Sequence, residues 1–150
     1  MSDDIIVHAT TVAIGGRAVL LRGPSGSGKS DLALRLIDAG ARLVADDRSR
    51  LWRDGDAILV AAPDTIAGLI EVRGMGILRL NPLPVARLAL VVDLVAPQHV
   101  ERLPDPSSET IFGLAIPVVA IAPFEASASI KLRLALAALT NQEPGVSFQR

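Results

Sequence analysis

Eight consecutive residues, Gly23-Pro24-Ser25-Gly26-Ser27-Gly28-Lys29-Ser30, carry the Walker A pattern G-x-x-x-x-G-K-[ST], with a further glycine at position 26. The chemistry this points to is phosphate binding. Glycines let a backbone wrap closely around phosphate with its N–H groups turned inward, and a helix starting at the loop adds partial positive charge. Lys29 supplies a cation for the β- and γ-phosphates, and Ser30 a hydroxyl for Mg²⁺. ATP and Mg²⁺ are therefore the expected cofactors, and phosphoryl transfer the expected reaction.

Such a loop needs a carboxylate at the end of a neighbouring strand, and two residues fit: Asp46, after Leu43-Val44-Ala45, and Asp93, after Leu88 to Val92. Asp46 and Asp47 are adjacent. On an extended strand their side chains would point to opposite faces, so only one could look at the γ-phosphate. His8 lies fifteen residues before Gly23 and by spacing alone reads as an ordinary strand histidine. In Ile70 to Ile77, Glu71 and Arg73 stand two apart beside Gly74 and Gly76. On a strand they share one face, where they would either act together on metal and phosphate or form a surface ion pair beside a turn.

The elements that must position these groups follow from the pattern of the chain. Ile5 to Ile14 is rich in β-branched residues and predicts a strand; Gly15-Gly16 then turns it into a second strand, Arg17 to Leu21, which runs into the loop. Leu32, Ala33, Leu34, Leu36 and Ile37 predict a helix ending near Gly40. Arg42 to Ala45 predicts a short strand, and Asp54-Gly55-Asp56 a hairpin between Leu51–Arg53 and Ala57–Val60. Further strands are expected at Leu69–Val72, Gly76–Leu80, Leu88–Val95 and Ala115–Ala122. Ile130, Leu134 and Ala138, spaced i, i+4, i+8, predict a closing helix over Ser127–Leu139. Strands outnumber helices, so the expected class is α/β, a P-loop set in a mixed sheet with flanking helices and a large antiparallel component.

At 150 residues the chain has the size of one domain, and no repeat or linker divides it. Residues 1–150 are therefore expected to form a single catalytic domain, with Thr140 to Arg150 a flexible or intersubunit tail. Hydrophobic residues make up 50% of the chain but aromatics only 3%, so the core must be aliphatic. The formal net charge is -1, with acidic and basic residues interspersed, which offers no face for nucleic acid. There are no cysteines, which rules out disulfides and thiolate metal sites. Two early aspartates do not suit a secretory leader, and Leu83 to Val95, interrupted by Arg87 and Asp93, is too short to span a bilayer. A cytoplasmic protein with no membrane partner is the expectation.

Taken together, these features resemble the catalytic domain of HPr kinase/phosphorylase, which phosphorylates and dephosphorylates a serine of the phosphocarrier HPr. The resemblance runs from His8 to about Leu139 and is carried by several motifs in order. They are the histidine before the loop, the loop followed by Asp31, the segment Gly40 to Asp47, the segment Ile70 to Ile77, and Glu101-Arg102-Leu103. It implies a fold related to the P-loop fold of phosphoenolpyruvate carboxykinase. By the resemblance, His8, Lys29, Asp46 and Arg102 are catalytic, Ser30 and Glu71 hold magnesium, and Asp47, Arg73, Gly74 and Gly76 are accessory. It selects Asp46 over Asp93 and makes Asp46 the general base toward the acceptor serine. An HPr-like protein of a phosphotransferase system is the implied partner, and a homo-oligomer the implied assembly. Only seven residues precede His8, so a short form without the family's N-terminal domain is expected. Two segments depart from the family pattern: Gly40-Ala41 where relatives have Gly-His, and Pro123 to Ser129 where relatives carry a basic residue and Gly-Arg-Asn. The second departure bears on the phosphorylase direction. Rival readings are a small-metabolite kinase and a nucleotide-binding regulatory protein without turnover.

Overall fold

Paired glycines and β-branched runs at the start of the chain produce antiparallel strands. The structure is a computed structural model that describes residues 3–140 and 145–149. β1 (Ile5–Val7) and β2 (Ala9–Ile14) are separate strands, because the chain bends at His8; the single strand expected through that histidine is corrected here. Gly15 and Gly16, both at positive φ, turn β2 into β3 (Arg17–Arg22). Two left-handed residues in a row match the twist of a tight hairpin, which is why glycines stand there.

β3 delivers the chain into the Gly-rich loop and α1 (Lys29–Asp38). The helix stops as the expected glycine dictates: Gly40 takes φ 110°, its N–H meets the Ile37 carbonyl, and the Ala41 N–H meets that of Leu36. Those paired bonds satisfy carbonyls the helix end would otherwise orphan. Next come β4 (Arg42–Ala45), then the hairpin of β5 (Ser49–Asp54) and β6 (Ala57–Ala61). β7 (Leu69–Val72) and β8 (Gly76–Arg79) form a small sheet of their own, and β9 (Ala86–Leu94) returns to the main one. The chain closes with β10 (Ser107–Ile111), β11 (Leu114–Ile121) and α2 (Ala128–Thr140).

The main sheet runs β1-β5-β6-β9-β3-β2-β4, with β11 beside the second half of β9 and β10 beyond it. β9 is parallel to both β3 and β11, and the other pairings are antiparallel. Because β6 takes the start of β9 and β11 takes its end, the sheet parts along that edge and curls. A mixed sheet with two helices, as expected, is the result.

Both faces of β3 and β9 are buried. Val19, Leu21, Leu90 and Val92 pack with Leu32 and Leu36 of α1 and with Leu132 and Leu136 of α2. Ala18, Leu20, Leu88 and Val91 face a second cluster with Leu51, Ile58, Val60 and Ile116, where the curled sheet covers itself. Ala89 is an extra residue in the β3–β9 register, Ala18 facing Leu88 and Val19 facing Leu90. Such a bulge sharpens local twist and re-phases which side chains face the helices.

Two further expectations change. β10 lies where no strand was predicted. α2 is the predicted helix, but its seated face carries Leu132 and Leu136, while Ile130 and Leu134 are exposed. Of the expected tail, residues 141–144 and 150 lie outside the described residues. Among the described residues no helix is long and apolar enough to cross a membrane.

Candidate active site

The loop between β3 and α1 is shaped by its glycines. Gly26 and Gly28 take φ 82° and 99°, a region side-chain-bearing residues rarely occupy, and the Ser27 N–H closes a turn onto the Pro24 carbonyl at 3.0 Å. A Cβ on Gly23 would run into Ser27 Oγ. Pro24, Ser25 and Gly26 form the exposed tip. Lys29 opens the helix and is only 6% exposed; its Nζ donates to the Gly23 carbonyl at 2.7 Å and the Pro24 carbonyl at 3.1 Å. An ammonium has three donors, so one remains for a phosphate oxygen.

Ser30 lies one residue further on, and its Oγ donates to Asp46 Oδ1 at 2.7 Å. Asp46 is the buried carboxylate of the site. Thr10 Oγ1 also donates to Oδ1, at 3.2 Å, and the Glu71 backbone N–H donates to Oδ2 at 3.1 Å. Three of a carboxylate's roughly four acceptor positions are thereby engaged, which pins its orientation. A hydroxyl and a carboxylate oxygen side by side are hard oxygen donors, the type that Mg²⁺ prefers. Among the described residues no three His, Asp or Glu side chains converge, so such an ion would take its remaining ligands from water and substrate phosphates.

Asp47 goes elsewhere, for a reason other than strand alternation. β4 ends at Ala45, and Asp47 adopts φ 67°, turning its side chain to His8, where Nε2 and Oδ1 are 2.6 Å apart. The expectation of two carboxylates on an extended strand is corrected, though a single one does address Ser30. Thr10 braces this corner as well, since its Oγ1 accepts the Asp47 N–H at 3.0 Å.

Asp93 lies one residue before the end of β9, the parallel neighbour of β3, but it is taken by Arg22. Arg22 Nε and Nη2 reach its two oxygens at 2.8 and 3.1 Å, while Nη1 sits 2.8 Å from both oxygens of Glu109. The hydrogen bond to Asp93 raises the Arg22 pKa above the ordinary value; Glu109 adds to the effect and burial opposes it. This triad anchors the base of the loop at the residue before Gly23.

The remaining expected residues stand apart from this network. The Glu71 side chain is exposed, and only its backbone touches Asp46. Arg73, Gly74 and Gly76 lie in or beside the β7–β8 turn, so Glu71 and Arg73 do not share a strand face as expected. Arg102 is exposed on the β9–β10 connection, and among the described residues neither it nor Arg73 makes a hydrogen bond or ion pair with the cluster. Sequence reasoning missed Thr10, Arg22 and Glu109. A charged Arg22 at the seam between strand and loop was the one visible signal, and Thr10 looked like any β-branched strand residue.

Comparison with known proteins bears on the family and the fold. The family model described as HPr Serine kinase C-terminal domain matches residues 1–143. Among curated proteins, the chain is 42% identical over 96 residues to HPr kinase/phosphorylase of Geobacillus thermodenitrificans, covering 59% of this chain and 31% of that one. It is 35% identical over 127 residues to HPr kinase/phosphorylase of Limosilactobacillus reuteri, covering 77% and 40%. The chain thus spans between about a third and two fifths of the length of these relatives. Among solved structures, the HPr(Ser) kinase/phosphatase from Coxiella burnetii superposes with a TM-score of 0.74 at 26% identity, covering 91% of this chain and 89% of that one.

Proposed function

The chain belongs to the HPr serine kinase C-terminal domain family, and from that premise we propose that it transfers the γ-phosphoryl group of ATP to a serine of an HPr-like phosphocarrier protein. The observation that carries this reading is the 2.7 Å contact between Ser30 and Asp46 beside Lys29, which joins the phosphate loop to one buried carboxylate.

In this reading the loop N–H groups and Lys29 bind the phosphates. Ser30 and Glu71 would hold Mg²⁺, which would supply neutralisation of the phosphate charge. Asp46 accepts the proton of the acceptor serine as the hydroxyl oxygen attacks, using its one uncommitted acceptor position. The His8–Asp47 pair borders the same corner, and Arg102 supplies a cation from the β9–β10 connection. In reverse, Asp46 returns the proton to the serine oxygen as inorganic phosphate displaces it and pyrophosphate forms. A homo-oligomer working in the cytoplasm is part of the proposal.

The test is phosphate transfer from radiolabelled ATP to a purified HPr-like protein, with a Ser→Ala acceptor as control. Label on the wild-type acceptor and none on the control is expected. Nucleotide hydrolysis or binding with no labelled acceptor would overturn the protein-kinase reading.

A further inference from the structure

An exposed phenylalanine leans on the phosphate loop. Phe124 is 71% exposed, in a chain with only three phenylalanines and one tryptophan, yet its ring edge is packed against Gly28: a Cβ on that glycine would lie 2.9 Å from Phe124 Cζ and 3.1 Å from Cε1. Gly28 therefore has two reasons to be glycine, its φ of 99° and the space the ring takes. Most of the ring is open to solvent.

The ring is also held in place. The Arg35 guanidinium on α1 donates to the carbonyls on either side of it, to Pro123 through Nη2 and to Glu125 through Nη1 at 3.5 Å. Arg35 is itself oriented by Asp31, one turn earlier, at 3.0 Å. A side chain placed only to fill space would be buried; this one is braced at the loop mouth with its surface uncovered. Exposed aromatic surface of this kind is costly in water and suited to covering a flat apolar ligand.

We propose that Phe124 is the platform on which the nucleotide base stacks once the phosphates occupy the loop. This rests on the nucleotide-binding reading above. A phenyl ring offers stacking and no hydrogen bonds, so it recognises the π-face common to all bases. It therefore separates nucleoside triphosphates from inorganic polyphosphates and discriminates little between ATP and GTP.

The experiment measures binding of ATP, GTP and inorganic tripolyphosphate, each with Mg²⁺, to the whole chain and to Phe124→Ala, Phe124→Trp and Lys29→Ala. Phe124→Ala should weaken ATP and GTP alike by about 5- to 150-fold while leaving tripolyphosphate unchanged, the range expected for one lost base stack. Phe124→Trp should retain the wild-type affinity. Equal weakening of ATP and tripolyphosphate by Phe124→Ala would mean that the ring only props the loop, and no weakening of either would mean that the base lies elsewhere; both overturn the proposal. Binding of ATP and tripolyphosphate by wild type and its loss in Lys29→Ala tests the phosphate loop separately. A wild-type chain that binds neither overturns that reading and this one with it.

Discussion

Asp46 and Asp93 are chemically identical and both stand next to a strand end, yet they have different partners. Asp46 accepts from two hydroxyls and one backbone N–H and faces the loop, whereas Asp93 is spent on Arg22. Asp46→Asn should lower transfer by about 10²- to 10⁴-fold, the usual worth of a general base, with ATP affinity largely kept. It should also cost about 1–3 kcal/mol of stability, because one amide cannot accept both from the two hydroxyls and from the Glu71 N–H. Asp93→Asn should leave transfer intact and cost about 1 kcal/mol, since Glu109 still pairs Arg22 and the group is partly screened by solvent. Urea melts and transfer assays on both variants check this, and loss of turnover in a folded Asp93→Asn would reverse the assignment. The raised pKa of Arg22 adds a statement about pH. A cation whose folded pKa is raised contributes its full stabilisation below its unfolded pKa, which for a guanidinium lies far above neutrality, and loses it only as pH rises through the still higher folded value. Melting temperatures of wild type and Arg22→Ala should therefore differ by a constant amount between pH 7 and 9. Residue types alone left the choice between the two aspartates open, because both patterns read hydrophobic run then Asp; the deciding partners, Thr10 and Arg22, lie far away in sequence.

α2 shows where periodicity loses its power. Apolar residues occupy nine of the twelve positions from Ala128 to Leu139, so more than one face satisfies a spacing of four and the sequence cannot say which is seated. The seated face is set by what β9, β11 and α1 present to it. Leu132→Ala should cost about 2–5 kcal/mol, as a fully buried leucine, and Ile130→Ala less than about 1 kcal/mol, measured by the shift in urea midpoint. Helix α1 and the glycine hairpins were legible because local rules, a capping glycine and left-handed turn residues, decide them. β10 was not legible: Ser107, Ser108 and Glu109 are polar, and the strand exists because β11 offers an edge and Arg22 a partner for Glu109. The segment ahead of α2 bears on direction. Bringing inorganic phosphate beside phosphoserine needs added positive charge, but Lys131 is paired with Glu125 at 2.9 Å and Arg35 is committed to the Pro123 and Glu125 carbonyls. The forward rate should exceed phosphate-dependent release by more than in relatives with the basic motif. Comparable rates in both directions on one partner would show that Arg73 or Arg102 makes up the charge.

At the scale of the whole molecule, class was readable and topology was not. An aliphatic, strand-rich chain with one phosphate loop implies a mixed sheet, but which strands lie side by side depends on long-range pairing that no local pattern encodes. The parallel register of β3 on β9 is the main case: Arg17 faces Arg87 and Arg22 faces Asp93, each about seventy positions apart. That separation has a consequence in time. On a ribosome adding about 5–20 residues per second, the strand that feeds the loop waits about 4–14 s for its neighbour to be made. The first eighty-five residues contain the entire Walker A motif but lack β9, so a fragment ending there should show neither cooperative unfolding nor nucleotide-induced stabilisation. The motif is synthesised about sixty positions ahead of β9, and the binding site built on it cannot exist until β9 has followed.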